Sequence, residues 1–410
     1  PSLYVNEKDN PYTYPKEHPF IWTQGHQVGG RSLTWGGITL RLSENNLQAA
    51  DKDGFGKKWP IEYKDIEEHY TFLERLLKVY GNKDGIKQLP DGLYEGCLPF
   101  TESEKVFAKR IKSRLGFSVI HSRGFSNHDN KSKEWPKSSS QGSTLKAALE
   151  TGKVELLTNH IVETLIINNK GSQAEGVIAI DKTNGNRKEI KSKLIILCAS
   201  TIQTLKILLN SESKTGSKGF INSSGNLGCY LMDHISTCRF FSFPEDSDKK
   251  IGSSQSIGNK LSGAGSFFIP FGDDLASKEQ VDFIRGYGIW GAIDRFEPPK
   301  LLKKDPNSKI GFLIGHGEVL PYKENKVILS NNLDKWGIPI PHIDCKWNEN
   351  ELRMVKHMNK TINSCIKESG GKVLPLKDLI KMPFFLERIV SKSLAVQEEP
   401  PPPGYYIHEV

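Results

Sequence analysis

Several things are missing from this 410-residue chain, and each absence removes a class of protein. No apolar run reaches the ~18 residues that a membrane-crossing helix needs. The cysteines number six (Cys97, Cys198, Cys229, Cys238, Cys345 and Cys365) and form no C-x-x-C pair, which excludes a zinc ribbon or a dithiol redox motif. They read as mostly reduced and buried, as suits a cytoplasmic protein. The histidines, among them His26, His121, His128, His316, His342 and His357, form no H-x-x-x-H or His/Cys set, so no metal site is expected. Net charge is +8, yet Lys and Arg are spread along the chain without a basic arm. That balance predicts no nucleic-acid partner and a modest preference for anionic ligands. No signal peptide is visible, there are no internal repeats, and the chain opens at Pro1 without a strand, a G-x-G-x-x-G turn and a helix. It reads as a protein entered partway through.

What is present begins with composition: 37% apolar and 25% charged residues predict a folded chain, and its length predicts two domains. The most informative stretch is Gln27-Val28-Gly29-Gly30-Arg31-Ser32-Leu33-Thr34-Trp35-Gly36-Gly37. Two Gly pairs flank a Ser and a Trp. Without Cβ atoms, such a segment brings backbone N–H groups against a flat or anionic ligand. Taken alone it can equally be a glycine-rich surface loop.

Helical spacing of Ile66, His69, Tyr70, Leu73, Leu76, Leu77 and Tyr80 predicts an amphipathic helix after Trp59-Pro60-Ile61. Thr101-Glu102-Ser103-Glu104 has capping-box form and opens a second helix through Val106, Phe107, Ile111 and Leu115. Residues 121–143 are polar and read as a long surface excursion with a lid or interface role. Strands are predicted over Val154–Thr158, Ile161–Asn168, Ala174–Asp181 and Arg187–Lys191, with a turn at Asn168–Gly171. Leu194–Leu197 is an unbroken apolar run, predicted as a strand buried on both faces, and Cys198-Ala199-Ser200 turns from it into a helix over Thr201–Asn210. A strand, a small-residue turn and a helix N-terminus make the ligand-facing edge of a doubly wound sheet, although many such units serve packing alone. Beyond His234, short runs such as Arg239–Ser242, Ser266–Ile269 and Lys326–Leu329 predict an antiparallel sheet, followed by a helix over Glu349–Glu368 and a stiff connector over Pro400–Pro403.

Five stretches in order carry a resemblance. Val28 to Gly37 with Arg41 resembles the second signature of glucose–methanol–choline oxidoreductases. Trp59-Pro60-Ile61 with Tyr63 is similar to an element of the sugar-oxidising branch that contains pyranose oxidase. Cys198 to Leu209 resembles the family's A-G-A-x-x-(S/T)-P-x-L-L stretch, and Gly228 to His234 its G-x-x-L-x-D-H. Gly404 to Val410 resembles the start of its H-x-x-G-x-x-R-M-G stretch, which gives His408 a structural rather than a catalytic role.

The resemblance implies an α/β fold: an incomplete Rossmann-like FAD-binding domain and a substrate domain built on an antiparallel sheet plus helices. The FAD-binding domain would take residues 1–58 and 150–235, the substrate domain 59–149 and 236–403, and residues 404–410 would begin the return to the first. FAD would lie against Val28, Gly29, Gly30, Ser32, Trp35, Gly36 and Gly37, with Val162 clamping adenine and Ala199 and Ser200 passing the ribose and pyrophosphate. Thr34 stands where pyranose oxidase carries the histidine joined to FAD, so the cofactor is expected to be non-covalent. Ser200 replaces the usual glycine and Leu205 the usual proline. Asp233 and His234 match a stretch near the flavin with a mainly structural role. The implied activity is hydride transfer from a CH–OH group of an alcohol or sugar to flavin N5. No catalytic residue is assigned, because the histidine base is expected beyond Val410, as is the first FAD-binding turn before residue 1. The electron acceptor is unassigned, and a homo-oligomer is compatible. Two alternatives stay open: a catalytically incomplete, inactive fragment, and a non-enzymatic carbohydrate-binding or scaffold use of the same fold.

Overall fold

Strict alternation of large apolar residues builds the main sheet. In the computed structural model, which describes residues 3–125, 134–215, 218–244, 267–270, 281–295, 309–375 and 400–404, six antiparallel strands run side by side. Their order is β1 (Ile120–His121), β6 (Phe267–Pro270), β7 (Tyr287–Ile293), β8 (Lys309–Gly317), β5 (Ile235–Phe243) and β11 (Lys372–Leu374). Phe241, Phe243, Phe267, Ile289, Ile293 and Leu313 point to one face and are buried there. Two helices cover that face, α4 (Glu102–Leu115) and α8 (Glu349–Glu368). The stripe of α8 that meets it, Met354, Val355, Met358, Ile362, Cys365 and Ile366, recurs every three to four residues. Close approach is possible because β8 has no side chain where the helix lands. A Cβ at Gly315 would lie 2.2 Å from the Met358 sulfur, and one at Gly317 2.4 Å from that of Met354.

Helix α4 starts as its sequence demands. Thr101 Oγ1 accepts from the Glu104 N–H at 3.1 Å, and Glu104 Oε2 accepts from the Thr101 N–H at 2.8 Å. The fully buried Glu104 also receives the Arg295 guanidinium, Nε to Oε1 at 2.9 Å and a terminal nitrogen to Oε2 at 3.0 Å.

A second group of elements surrounds a smaller core of Phe20, Trp22, Ile202, Leu231, Val327, Ile343 and Cys345. It contains the meander β2 (His160–Ile167), β3 (Ala174–Asp181) and β4 (Arg187–Lys191), the hairpin β9 (Lys326–Leu333) and β10 (Pro339–Asp344), and helix α6 (Thr201–Thr215). Helix α6 lies on β2, where Ser211 Oγ accepts from the Leu165 N–H at 2.8 Å and Asn210 donates to the Glu163 carbonyl at 2.9 Å. The β2–β3 turn closes through Gly171, whose N–H donates to the Asn168 carbonyl at 2.9 Å. Shorter helices are α1 (Glu44–Leu47), α2 (Ala49–Asp53), α5 (Thr144–Glu150) and α7 (Lys218–Ile221), and α3 (Tyr63–Leu77) precedes α4.

Three expectations need correction. Leu194–Leu197 is not a strand buried on both faces: Leu194 is 73% and Ile196 75% exposed, and no described strand pairs with them. Val154–Thr158 likewise forms no strand. β-propensity describes fit to a partner surface, and neither run has one among the described residues. Helix α3 forms where periodicity put it, but only part of its stripe is turned inward, Ile66, Tyr70 and Leu77 being half-buried. Phe72, Leu73 and Leu76 are exposed, while Glu74 is buried against Arg41 through two bonds of 2.8 and 2.6 Å. An ion pair to a residue far back in the chain, not local amphipathicity, sets which face of α3 goes in. Of the six cysteines, none is paired; Cys238, Cys345 and Cys365 are buried, and Cys97 and Cys198 are exposed. Burial pushes the three buried thiols up to about 12, so they are inert. Among the described residues no helix is long and apolar enough to cross a membrane, and no group of His, Cys, Asp or Glu could hold a metal ion. Residues 126–133, with His128, and 405–410, with His408, lie outside the described residues.

Candidate functional site

The Gly-pair segment is a backbone-lined turn. Gly29 (φ +96°), Gly30 (φ +51°) and Gly37 (φ +69°) adopt left-handed conformations that other residues rarely take. The Gly30 N–H donates to the Gln27 carbonyl at 2.8 Å, and Gly30–Leu33 then forms one short 3₁₀ turn. A Cβ at Gly30 would meet nothing within 4 Å, so this part of the main chain borders open space.

Residues 135–142 hold the turn from behind. Ser32 Oγ accepts from the Ser140 N–H at 2.9 Å, Trp35 Nε1 donates to the Ser138 carbonyl at 3.0 Å, and Gln141 donates to the Val28 carbonyl at 2.5 Å. The Trp35 ring lies 5.5 Å from that of Phe125, four residues beyond β1. Thr34 Oγ1 donates to the Arg31 carbonyl at 3.4 Å, and Gly36 is half-buried. The turn is therefore fixed in position, with its own side chains pointed into supporting contacts.

Immediately before the turn, His26 enters a cavity of about 620 Å³ that Val162, Gln203, Lys206, Lys182 and Trp336 also line. The Gln203 amide nitrogen lies 3.1 Å from Gln24 Oε1 and 3.4 Å from His26 Nε2, which joins α6 to the chain that leads into Gly29. Val162 sits at a register shift in the β2–β3 ladder. Ala199 and Ser200 do not line the cavity. Ser200 instead starts α6, its carbonyl accepting from the Thr204 N–H at 2.9 Å. Its φ of +64° is the conformation a glycine would take without strain. Thus His26, Gln203 and Val162 come together, the turn follows His26 directly, and Ser200 sits one helical turn from Gln203.

Charge in the cavity is mostly paired. Lys206 Nζ meets Asp334 at 2.9 Å, both buried. Burial pushes the Glu163 carboxyl up, but hydrogen bonds from Arg187 and Lys214 outweigh it and hold the group below the ordinary carboxylate value. Partial burial, with Lys182 and Lys206 nearby, keeps the His26 imidazole below its usual value and therefore neutral at pH 7. Neither His26 nor Gln203 nor Lys206 stands out in the sequence; their only signal is position, three residues before the Gly pair and one face of α6.

Asp233 has a tying role. Its Oδ1 accepts from the His234 N–H at 2.8 Å and its Oδ2 from the Gly404 N–H at 2.5 Å, which fixes residues 400–404 to the start of β5. The face of the main sheet turned away from α8 carries further polar and aromatic residues, Trp290 and His316 among them, that sequence reasoning did not single out. Alternation along β7 and β8 marks them as opposite to the core, and nothing local says more.

Residues 12–236 match a family model described as GMC oxidoreductase. The chain is 42% identical over 69 residues to 2-methyl-1,2-propanediol dehydrogenase of Mycolicibacterium austroafricanum, covering 17% of this chain and 12% of that protein. It is 24% identical over 373 residues to the fructose dehydrogenase large subunit of Gluconobacter japonicus, covering 84% of this chain and 66% of that protein. The chain thus spans less than two thirds of the length of these curated relatives. Among solved structures, formate oxidase of Aspergillus oryzae RIB40 is similar with a TM-score of 0.55 at 13% identity, covering 92% of this chain and 72% of that one. A second formate oxidase structure gives 0.58 at 12% identity, covering 95% and 77%. At those identities the likeness is one of fold.

Proposed function

We propose that this chain, which belongs to the GMC oxidoreductase family, forms the FAD-binding and substrate-binding parts of an oxidoreductase that acts on the CH–OH group of an alcohol or sugar. The observation that carries the reading is the fixed glycine turn, with open space at Gly30, and His26 just upstream of it in a cavity that Val162 also lines and that no residue from Val28 to Gly37 lines. These residues fit a dinucleotide: bare main chain for a flat ring, and a cavity within the ~300–1,000 Å³ range of cofactor sites. Residues 1–58 and 150–235 would hold FAD, and 59–149 and 236–403 the substrate.

Bound FAD supplies the hydride acceptor. The chain's own part is to position and screen. The N–H groups of Gly30, Ser32, Thr34 and Trp35 are taken up by carbonyls within the turn, and the remaining N–H groups between Val28 and Gly37 would stabilise negative charge at the ring edge. The first turn of α6, opening at Ser200, offers N–H groups and the positive end of a helix to phosphate. Neutral His26 and Gln203 are placed to hydrogen-bond an uncharged base or sugar. Trp35 and Phe125 pack against each other beside the turn. Thr34 has no ring nitrogen to bond flavin carbon, which supports non-covalent binding. For the proton acceptor the sequence expectation stands as a proposal: a histidine of the family's C-terminal segment.

The test is flavin content. Purified protein should carry or take up FAD, seen as flavin absorbance, and Gly30→Val should weaken uptake at least tenfold with circular dichroism unchanged. A folded protein that takes up no flavin refutes the reading.

A further inference from the structure

Residues 135–142 hold the glycine turn from behind, but its exit, Gly36 to Thr39, leans on a different part of the chain. Just beyond β1, Arg123, Gly124 and Phe125 run alongside it. The Phe125 N–H donates to the Gly37 carbonyl at 3.3 Å, and the Thr39 N–H donates to the Arg123 carbonyl at 3.1 Å. A Cβ at Gly124 would lie 2.1 Å from the Gly37 oxygen, so main chain rests directly on main chain. The Phe125 ring lies 3.5 Å from where a Gly37 Cβ would stand. The path of residues 123–125 therefore sets the path of the turn's exit.

What fixes residues 123–125 is a buried charge. The Arg123 side chain leaves this ladder and enters residues 84–94, and Arg123 is only 1% exposed. Nη1 donates to the Leu89 and Pro90 carbonyls at 3.1 and 2.7 Å, and Nη2 to Asp84 and Asp91 at 3.2 and 2.8 Å. The guanidinium also lies 5.5 Å from the centre of the Tyr94 ring. Asp91 accepts in addition from the Asp84 and Gly85 N–H groups at 2.9 and 3.0 Å, so the loop closes on the carboxylate that grips the arginine. On the far edge Tyr80 pairs with Gly124 in both directions, at 2.7 and 2.9 Å. The same loop has a second tie to the chain after the turn, because Glu74 accepts both from the Leu93 N–H at 2.7 Å and from Arg41. A guanidinium held in several directions at once fixes orientation as well as position, which an ammonium group cannot do.

We infer that Arg123 is a positioning residue for the flavin turn. It carries the rigidity of residues 84–94 through Gly124 and Phe125 to Gly36 and Gly37, and so fixes where the bare main chain meets the ring. The inference rests on the reading of the chain as FAD-binding. Bare main chain has no side chain that could adapt to a shift, so a small displacement there is costly.

The experiment uses the full chain and the variants Arg123→Lys, Asp91→Asn and Gly124→Ala, with Glu104→Gln as a variant that weakens the main sheet away from the turn. One readout is amide hydrogen exchange of residues 35–39 in protein without FAD. The other is FAD titration followed by the visible flavin band and by flavin fluorescence. Arg123→Lys keeps the charge and loses the fork, so exchange at 35–39 and the FAD dissociation constant should each rise about tenfold, with a shifted band. Asp91→Asn should move both readouts the same way by a smaller factor. Gly124→Ala leaves the Arg123 bonds in place and displaces Gly37 directly, and it should reproduce the band shift. Glu104→Gln should lower the thermal midpoint and move neither readout. Arg123→Lys and Asp91→Asn proteins with a lowered midpoint but wild-type exchange and flavin spectra overturn the inference and leave Arg123 as a loop anchor. If Arg123→Lys does not fold, Asp91→Asn decides by the same two readouts. Wild-type protein that takes up no FAD overturns the flavin reading alone, and exchange at 35–39 then still decides whether Arg123 positions the turn.

Discussion

The main sheet and the elements around the smaller core treat apolar residues in opposite ways. In the sheet, α4 and α8 lie directly on the alternating strands, and Phe107, Ile111, Phe241, Met358 and Ile362 are completely buried. In residues 150–235 Val154, Leu156, Leu194 and Ile196 are exposed, and polar ties do more of the holding. Lys206 grips Asp334, Arg187 and Lys214 grip Glu163, and the Thr13 carbonyl accepts from the Ile343 N–H at 2.8 Å. A region that completes its own core can stand on burial. A region with bare main chain and open apolar runs stands on specific pairs, and so responds to pH and to single polar changes.

That contrast can be broken in four places. The largest effect is expected within the sheet half: Glu104→Gln removes the buried negative charge that the Arg295 guanidinium meets at 2.9 Å and should lower the unfolding free energy by about 3–5 kcal/mol in urea titrations. A cost below about 1 kcal/mol would show that burial alone suffices there. Around the smaller core, Glu163→Gln removes the negative charge that Arg187 and Lys214 meet and should cost about 2 kcal/mol at neutral pH. Because folding holds the Glu163 carboxyl below its ordinary value of 4.5, its contribution is full above that pH and is lost as pH falls through the lower folded value. The variant should therefore show a flatter acid limb, and an unchanged one counts against the assignment. Ser200→Gly relieves a left-handed residue and should raise stability by up to about 1 kcal/mol, with tighter flavin uptake. Smallest of all, Leu194→Ser and Ile196→Ser should change stability by no more than about 0.5 kcal/mol, since both side chains already face solvent. A larger loss in differential scanning calorimetry would mean that something covers them.

Sequence reasoning reached the elements whose ends are set by their own residues. Helix α8 runs over the predicted Glu349–Glu368, opened by Asn348 with Glu351 reaching back, and β3 covers the predicted Ala174–Asp181. The capping box at Thr101 formed as its spacing implied. It failed where a distant partner decides. Arg41 draws Glu74 of α3 into the interior from 33 residues away, at a position the helix's own spacing does not mark as buried. The run Leu194–Leu197 looks like a core strand because composition cannot report whether a neighbour exists. The glycine turn was visible because left-handed backbone has a residue-level signature. The stack of Trp290 on His316 was not, because the two meet only through register, and each alone is an unremarkable strand residue.

The order of strands in the main sheet also governs when it can form. Its two edge strands come from residues 120–121 and 372–374, and β5 at 235–243 must wait for β8 and β11 to flank it. At ordinary ribosomal speed roughly 10–50 s separate the synthesis of those two edges. During that interval the nascent chain exposes Phe241, Phe243 and their neighbours before α8 exists to cover them. That interval leaves an apolar strand open to aggregation, so faster elongation through residues 244–374 should shorten the vulnerable period.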